Sequence, residues 1–331
     1  MAIAEQVHTA PDVFLIRVPF ENISTSDTNC YVVRDGGEAL VVDTGAPTDE
    51  GAALLSAALD ELGVDRARAT WFLTHLHLDH AGLVDRVVPE GAAVCMSAVD
   101  CGDARASRTA MFLEAQQRGL MAQGVPFSDA SAYARLAIEP PLFDHARVRA
   151  SFVGAGDELA VGRYRLQVVE TPGHTPGHLS LFEPASGILF GGDHVLFALS
   201  PSIALFPHGR DGLQAYLDSL ERVAALQPRA LFHSHGPLRP DFRERIAWLA
   251  DHHRERLEEA RGIVAADPGL SGYDALRRIK WNVPFATWDD ISFLQRSCIV
   301  LEGIVYLNHL VGRGLIGREP DDAGVFRYRP L

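Results

Sequence analysis

Residues 74–82, THLHLDHAG, place three histidines and an aspartate within six positions (His75, His77, Asp79 and His80). They follow an apolar run, TWFL, that is typical of a buried strand. A buried histidine or aspartate costs free energy unless its polar atoms find partners. Four such groups in one turn need a common partner, and a metal ion would satisfy all of them. We therefore expect a fold in which a strand ends in a cluster of metal ligands.

Three later motifs carry further candidate ligands. ETPGHTPGH (170–178) supplies His174 and His178, GGDHV (191–195) supplies Asp193, and HSHG (233–236) supplies His235. Each motif follows a strand-like run and contains Gly or Pro, and loops held at the ends of rigid strands are where sites are usually built. The donors are imidazole and carboxylate without thiolate, which suits zinc and also iron or manganese.

The pattern along the chain predicts two domains. Strands are expected at 13–18, 30–33, 39–45, 70–75, 164–171, 178–184, 187–193 and 229–236, with helices near 49–62 and 212–226. Residues 100–150 lack strand signals and predict a helical insertion. A long charged helix over 240–264 marks the expected boundary, so residues 1–245 form the predicted catalytic domain and 246–331 a C-terminal helical domain. Its last helix, at about 287–314, precedes LIGREPDDAGVFRYRP.

Composition excludes several classes of protein. The net charge of −13 argues against a phosphate-tracking nucleic-acid binder, whose affinity comes from clustered Lys and Arg. Lys280 is the only lysine, so a P-loop, which needs Gly-Lys, is excluded. No CxxC pair, signal peptide or bilayer-length apolar run occurs, so we expect a cytoplasmic protein without a membrane segment.

The motifs ALVVDTG, THLHLDHAG, TPGHTPGH, LFGGD and HSHG, in that order, resemble those of the metallo-β-lactamase-fold hydrolases over roughly residues 10–240. The resemblance implies an α/β fold, a four-layer αββα sandwich with a two-metal site at one edge. It implies that His75, His77 and His174 hold one metal. Asp79, His80 and His235 would hold the other metal, and Asp193 would bridge the two. Asp43, of the DTG motif, would orient a ligand from behind, and His178 is expected beside the ligands rather than on a metal.

The implied activity is hydrolysis by a hydroxide bound to two zinc ions, with iron or manganese as alternatives. Asp193 and Asp79 are the expected catalytic carboxylates, and Asp79 could pass a proton to the leaving group. The expected partner is a small acyl substrate: a thioester, an ester or a lactone. An apolar insertion favours the thioester.

Three residues are candidates for contact with that substrate. Met111 and Phe112 lie in the helical insertion, which forms either a small helical core or a lid that lines an acyl pocket. His208, in LFPHGR, lies in a loop that a substrate could pass.

Other functions stay open at this stage. Residues 246–331 resemble a winged-helix appendage found in a branch related to endoribonucleases, so RNA phosphodiester cleavage is the second hypothesis. The acidic run REPDD in the wing opposes it, and we expect this domain to serve packing, to form dimer contacts or to line the substrate cleft instead. A mononuclear-iron thiol or persulfide dioxygenase has similar motifs. A binding protein that kept the fold and lost the activity is the third class.

Overall fold

The structure is a computed structural model that describes residues 3–20, 26–136, 143–206, 209–283 and 287–331. The chain forms two units, and all seven candidate metal ligands belong to the first. The first unit comprises Met1–Arg105, Glu139–Pro201 and Ser219–Ile246. The second comprises Ala106–Ile138, Ser202–Asp218 and Ala247–Leu331. The predicted division at residue 245 stays a prediction.

A seven-stranded sheet takes its strands in chain order, and β1 to β4 are antiparallel whereas β4 to β7 are parallel. Its strands are β1 (Glu5–Thr9), β2 (Asp12–Pro19), β3 (Asp27–Asp35), β4 (Glu38–Val42), β5 (Thr70–Phe72), β6 (Ala93–Met96) and β7 (Arg149–Phe152). Gly36 and Gly37 turn β3 into β4 with φ values of 58° and 87°, which other residues adopt only with strain.

Four helices follow the strands of this sheet. They are α1 (Asp49–Glu61), α2 (Leu78–Ala81), α3 (Val84–Val87) and α4 (Ala98–Ala106). Thr48 caps α1, since its side chain accepts a hydrogen bond from the backbone of Gly51. Parallel strands need such crossovers, and the crossover between β5 and β6 carries the THLHLDH motif into α2.

The second sheet has five strands in the order β12-β11-β10-β9-β8. They are β8 (Glu158–Val161), β9 (Tyr164–Glu170), β10 (Leu179–Glu183), β11 (Ile188–Gly192) and β12 (Ala230–His233). Neighbours are antiparallel except β11 and β12, which are parallel. The loops that follow β9, β11 and β12 carry the other candidate ligands, His174, Asp193 and His235.

The core has two parts because strand residues alternate between faces. On β3, Tyr31 and Val33 belong to a cluster shared with Leu181 and Phe190 of the second sheet, which fills the space between the sheets. Cys30 and Val32 point the other way, into a cluster that contains the buried face of α1. Helices therefore cover a two-sheet core, which confirms the predicted fold class.

The helical insertion predicted at about 100–150 is wrong at its C-terminal end, where the structure has a strand. Residues 98–136 are helical, as α4, α5 (Ala110–Ala122) and α6 (Phe127–Leu136), but Arg149–Phe152 forms the edge strand β7. The sequence RASF has only four residues, too few to carry a recognisable periodic signal before it pairs with β6.

The remaining elements are α7 (Gly212–Ala225), α8 (Phe242–Ala266), α9 (Gly272–Leu276), α10 (Phe293–Gly312), β13 (Ile316–Pro320) and β14 (Phe326–Pro330). The helix predicted at about 287–314 begins later, because Trp288–Asp290 is a separate 3-10 turn. β13 and β14 form an antiparallel hairpin after α10. Among the helices in the described ranges, none combines the length and apolarity needed to cross a bilayer.

A series of buried hydrogen bonds links two helices of the second unit. His253 of α8 is fully buried, and its Nδ1 lies 2.7 Å from Oη of Tyr306 on α10. Tyr306 donates in turn to Glu302, at 3.2 Å. Burial lowers the pKa of His253 to about 3, so this ring is neutral at pH 7.

This pKa predicts how stability changes with pH. An unfolded histidine has a pKa of about 6.5, so between pH 6.5 and 3 only the unfolded chain gains this proton, and stability falls as the pH falls. At pH 5 the loss is about 2 kcal/mol. We expect His253→Gln to reduce the fall in unfolding free energy between pH 7 and pH 5 by that amount, measured by urea denaturation. His8→Gln, which removes a half-buried histidine of the first unit, is the control, and equal slopes in wild type and H253Q would contradict the assignment.

Candidate metal centre

All seven predicted ligands come from chain segments that follow strands of the two sheets in the first unit. His75, His77, Asp79 and His80 follow β5, His174 lies between β9 and β10, Asp193 follows β11, and His235 follows β12. Three groups of these side chains have potential ligand atoms within 4.8 Å of one another, and together they include all seven. Residues that are up to 160 positions apart in sequence are thus brought together at one place.

The first triad consists of His75, His77 and His174. Nδ1 of His77 lies 3.0 Å from Nε2 of His75 and 3.0 Å from Nε2 of His174. A neutral ring nitrogen carries either one hydrogen or one lone pair, so it cannot make two good hydrogen bonds of this kind. The three nitrogens instead converge on a common point, as ligands of one ion do.

The second triad consists of Asp79, His80 and His235. Oδ2 of Asp79 lies 3.5 Å from Nε2 of His235 and 3.9 Å from Nε2 of His80. His80 is completely buried, whereas the Asp79 side chain is 22% exposed. The carboxylate of Asp79 is therefore the more open member of this triad.

Asp193 lies between the triads, and its two oxygens face different ones. Oδ2 is 3.5 Å from Nε2 of His174 in the first triad. Oδ1 is 3.4 Å from Nε2 of His80 and 3.3 Å from Nε2 of His235 in the second. This is the arrangement of a carboxylate that can bridge two cations.

The donors fit metal ions. Nitrogens bound to a tetrahedral zinc at 2.0–2.1 Å lie about 3.4 Å apart, close to the 3.0 Å separations in the first triad. Nε2 of His80 and Oδ1 of Asp193 are buried, and within the described ranges neither makes a hydrogen bond. Such orphaned atoms are costly unless a ligand satisfies them.

Asp43 orients the His80 ring of the second triad. It follows β4 with a φ of 59°, and its Oδ2 lies 2.8 Å from Nδ1 of His80. A carboxylate accepts here, so Nδ1 of His80 carries the hydrogen and the Nε2 lone pair faces the centre. Thr74 donates its backbone N–H and its hydroxyl to the same carboxylate, both at 2.8 Å.

His178 acts on Asp193 through the backbone. Its Nε2 accepts a hydrogen bond from the backbone N–H of Asp193 at 3.1 Å. Its Nδ1 then carries the hydrogen and donates to the hydroxyl of Thr171 at 2.8 Å. The structure places this histidine outside the three ligand groups, where it orients the loop after β11.

The His235 loop is anchored to β3. Nδ1 of His235 donates to the backbone carbonyl of Asp27 at 2.8 Å, which leaves Nε2 for the centre. The amide of Asn29 donates to the carbonyls of His233 and Gly236, and the hydroxyl of Tyr31 donates to His233 at 2.6 Å. Sequence reasoning missed Asn29 and Tyr31, since nothing local links β3 to residues 233–236.

The charges of the two triads differ. Burial, and then the neighbouring histidines, lower the pKa of His75 and bring that of His77 to about 3, so both rings are neutral as metal ligands must be. Burial opposes charge on His80 too, but the carboxylates of Asp193, Asp43 and Asp79 raise its pKa. Cations are therefore favoured on the side of the centre that holds the carboxylates.

The structure describes two of the three candidates for contact with the substrate. Met111 is 77% exposed at the start of α5, and Phe112 beside it is partly buried. Both belong to the second unit. His208 lies outside the described residues.

A family model described as the metallo-beta-lactamase superfamily matches residues 24–235. The chain belongs to this superfamily. It is 30% identical over 272 residues to the probable metallo-hydrolase YqjP of Bacillus subtilis (strain 168), across 78% of this chain and 82% of that protein. It also matches the crystal structure of a superfamily protein from Thermus thermophilus with a TM-score of 0.76 and 26% identity, across 96% of this chain and 98% of the other.

A shorter match reaches a hydroxyacylglutathione hydrolase of Erythrobacter litoralis (strain HTCC2594), 35% identical over 81 residues, which are 24% of this chain and 30% of that protein. Together with the longer matches, the site makes the chain a metallo-hydrolase of the superfamily with a His/Asp cluster that could hold metal ions.

Gly192 offers a test of the packing behind Asp193. It has a φ of +53°, and a Cβ there would lie 2.6 Å from Nε2 of His178 and 2.8 Å from Cβ of Thr74. We expect Gly192→Ala to displace His178, to lower zinc affinity about tenfold or more, and to cost about 1–3 kcal/mol beyond the backbone strain.

Gly36→Ala is the matched control, because Gly36 has a φ of +58° with open space around it. It carries the same backbone strain without the contact. Urea denaturation and competition with a chromophoric chelator measure the two effects. Equal stability and zinc affinity in G192A and G36A would show that the contact with His178 is unimportant.

Proposed function

We propose that this protein is a binuclear metal-dependent hydrolase that cleaves a small carbonyl substrate, with a thioester as the first choice. The observation that carries the binuclear part is the position of Asp193, whose two oxygens lie within 3.5 Å of ring nitrogens from both triads. One carboxylate shared in this way suits two neighbouring cations better than one.

In this proposal, His75, His77 and His174 hold one metal, Asp79, His80 and His235 hold the other, and Asp193 is shared. Zinc suits this set of imidazole and carboxylate donors, and iron or manganese are alternatives. When bound, two such ions supply a hydroxide nucleophile at neutral pH and polarise the substrate carbonyl.

The protein's own groups provide orientation and proton transfer. Asp43 keeps His80 in the tautomer whose Nε2 faces the centre, at a distance of 2.8 Å from Nδ1. Asp79 is the more exposed of the two central carboxylates, at 22% against 9% for Asp193. Its carboxylate can therefore hold a proton for the leaving group at the open side of the centre.

The preference for a carbonyl substrate over RNA rests on charge. Five arginines of the C-terminal region are paired with acidic neighbours within 4 Å: Arg254 with Asp251, Arg261 with Glu258, Arg278 with Asp267, Arg327 with Asp321, and Arg329 with Glu319. Phosphate binding draws on unpaired positive charge. In addition, α10, the helix before the hairpin, is buried on nearly all sides from Gly303 to Leu310, so it offers little surface to a groove of nucleic acid.

The preference for a thioester rests on one relative and on the apolar side chains of α5. The short match to a hydroxyacylglutathione hydrolase concerns a protein named for a thioester substrate. On α5, Leu120 is the one buried side chain, and Met111 is largely exposed. We propose that Met111 and Phe112 contact the acyl chain of the substrate.

The test is a matched panel of substrates with the zinc-loaded full chain: short-chain and long-chain acyl thioesters, an aliphatic lactone, a β-lactam and an RNA phosphodiester. We expect kcat/KM for a thioester or lactone to exceed that for the phosphodiester by at least about tenfold. Asp193→Asn should reduce turnover to the metal-free background with the circular dichroism spectrum unchanged. Asp49→Asn removes a carboxylate that is 98% exposed in the same unit and should have no effect.

The same panel tests the acyl contact. Met111→Ala combined with Phe112→Ala should lower kcat/KM for the long-chain thioester about tenfold more than for the short one, whereas Leu136→Ala, an exposed apolar residue on α6, should not. Fastest cleavage of the phosphodiester, or wild-type turnover by D193N, would overturn the proposal.

A further inference from the structure

Asp100 is a buried carboxylate outside the ligand set. It lies in the first turn of α4, its side chain is completely buried, and it belongs to none of the three ligand groups. Burial of an ionisable group is costly unless it has a specific set of partners. The partners of Asp100 show what its carboxylate does.

All three donors to this carboxylate come from the loops that carry the first triad. Oδ2 accepts from the backbone N–H of Leu76 at 3.1 Å and from the hydroxyl of Thr175 at 2.9 Å. Oδ1 accepts from the backbone N–H of Gly177 at 2.6 Å. Leu76 lies between His75 and His77, and Thr175 directly follows His174, so one carboxylate joins the two loops.

The residues around Asp100 are closely packed. A Cβ on Gly177 would lie 2.4 Å from Oγ of Ser97 and 2.5 Å from Oδ1 of Asp100, so the loop rests directly on the carboxylate. Ser97 in turn accepts from the backbone N–H of Val99 at 3.1 Å, which fixes the start of α4. Burial raises the pKa of Asp100 to about 7, and the hydrogen bonds from Thr175, Gly177 and Leu76 oppose that rise.

The second triad has different anchors. Its His80 ring is held by Asp43, and the carbonyl of His80 accepts from the backbone and the hydroxyl of Thr44, at 2.7 and 2.8 Å. His235 is held by the carbonyl of Asp27. Asp43 also reaches the first triad, because the Thr74 hydroxyl that it binds lies 3.0 Å from Nδ1 of His75. The three donors to Asp100, by contrast, all belong to the loops of the first triad.

We propose that Asp100 is a positioning residue that sets the metal affinity of the first triad, His75, His77 and His174, largely independently of the second. Its carboxylate holds two loops at the separation at which the three ring nitrogens meet. This inference rests on the proposed function, because it assumes that both triads bind metal.

Asp100→Asn probes the carboxylate with almost no change in shape. An amide offers one acceptor oxygen, and its NH2 group can only donate. Whichever way the amide lies, at least one backbone N–H, of Leu76 or Gly177, then faces another donor. We expect the loops to shift and zinc affinity of the first triad to fall about 10–100-fold.

The experiment measures zinc binding to the metal-stripped full chain by competition with a chromophoric chelator, in two backgrounds. His235→Ala leaves the first triad intact, and His174→Ala leaves the second intact. Asp100→Asn should weaken zinc binding in the His235→Ala background and change it less than about threefold in the His174→Ala background. Asp43→Asn, in contrast, should weaken zinc binding in the His174→Ala background, because it removes the carboxylate that orients the His80 ring.

Thr175 supplies a second, milder variant in case Asp100→Asn does not fold. Thr175→Val removes one hydrogen bond to Asp100 and should weaken the first triad, whereas Thr175→Ser keeps the hydroxyl and should retain wild-type affinity. Equal weakening in both backgrounds, or none in either, would overturn the positioning role. Binding of fewer than two zinc ions by the wild-type chain would instead overturn the proposed binuclear function, which is a separate result.

Discussion

The carboxylate of Asp193 is the group on which the centre depends. It is buried among histidine nitrogens from three different loops, at 3.3–3.5 Å, and electrostatic attraction from His235 and His80 lowers its pKa although burial opposes the charge. A charge in such a place is tolerated only if its surroundings are fixed in advance. Three features of the first unit fix the surroundings of Asp193: the positive φ of Gly192, the hydrogen bond from the Asp193 backbone to His178, and the packing of the two sheets that brings these loops together.

Four of the seven candidate ligands are supported by partners that lie on three different elements. Asp43 at the end of β4 orients His80, the carbonyl of Asp27 on β3 orients His235, and Asp100 on α4 holds the loops of His75 and His174. The elements that carry these partners pack into the two core clusters. Because the core is closely packed, it restricts the movement of these partners and of the side chains that they orient. Loops that contain Gly and Pro can therefore hold the candidate ligands in fixed positions. The loops are short, and their backbone N–H groups donate to buried acceptors.

The sequence predicts what is encoded locally. Apolar and β-branched runs bounded by turn residues predict most strands, and the histidines and aspartates that follow those runs are candidate ligands. The resemblance of the motifs to those of the superfamily implied the particular seven residues that the structure brings together. Short strands such as β6 and β7 were not predicted, since four residues held by pairing with neighbours carry no periodic signal. Asp100 and Asn29 were missed for a related reason. Their hydrogen-bond partners are at least 24 positions away, and such contacts exist only once the sheets have formed.

The most direct test of the binuclear centre is X-ray absorption spectroscopy of the full chain loaded with two equivalents of zinc. The account predicts nitrogen and oxygen neighbours at about 2.0–2.1 Å and a zinc–zinc distance of about 3.5–4 Å. It also predicts that this zinc–zinc signal disappears in Asp193→Asn, which loses the shared carboxylate. Sulfur neighbours at about 2.3 Å, or the absence of a zinc–zinc signal in the wild-type chain at two equivalents, would contradict it.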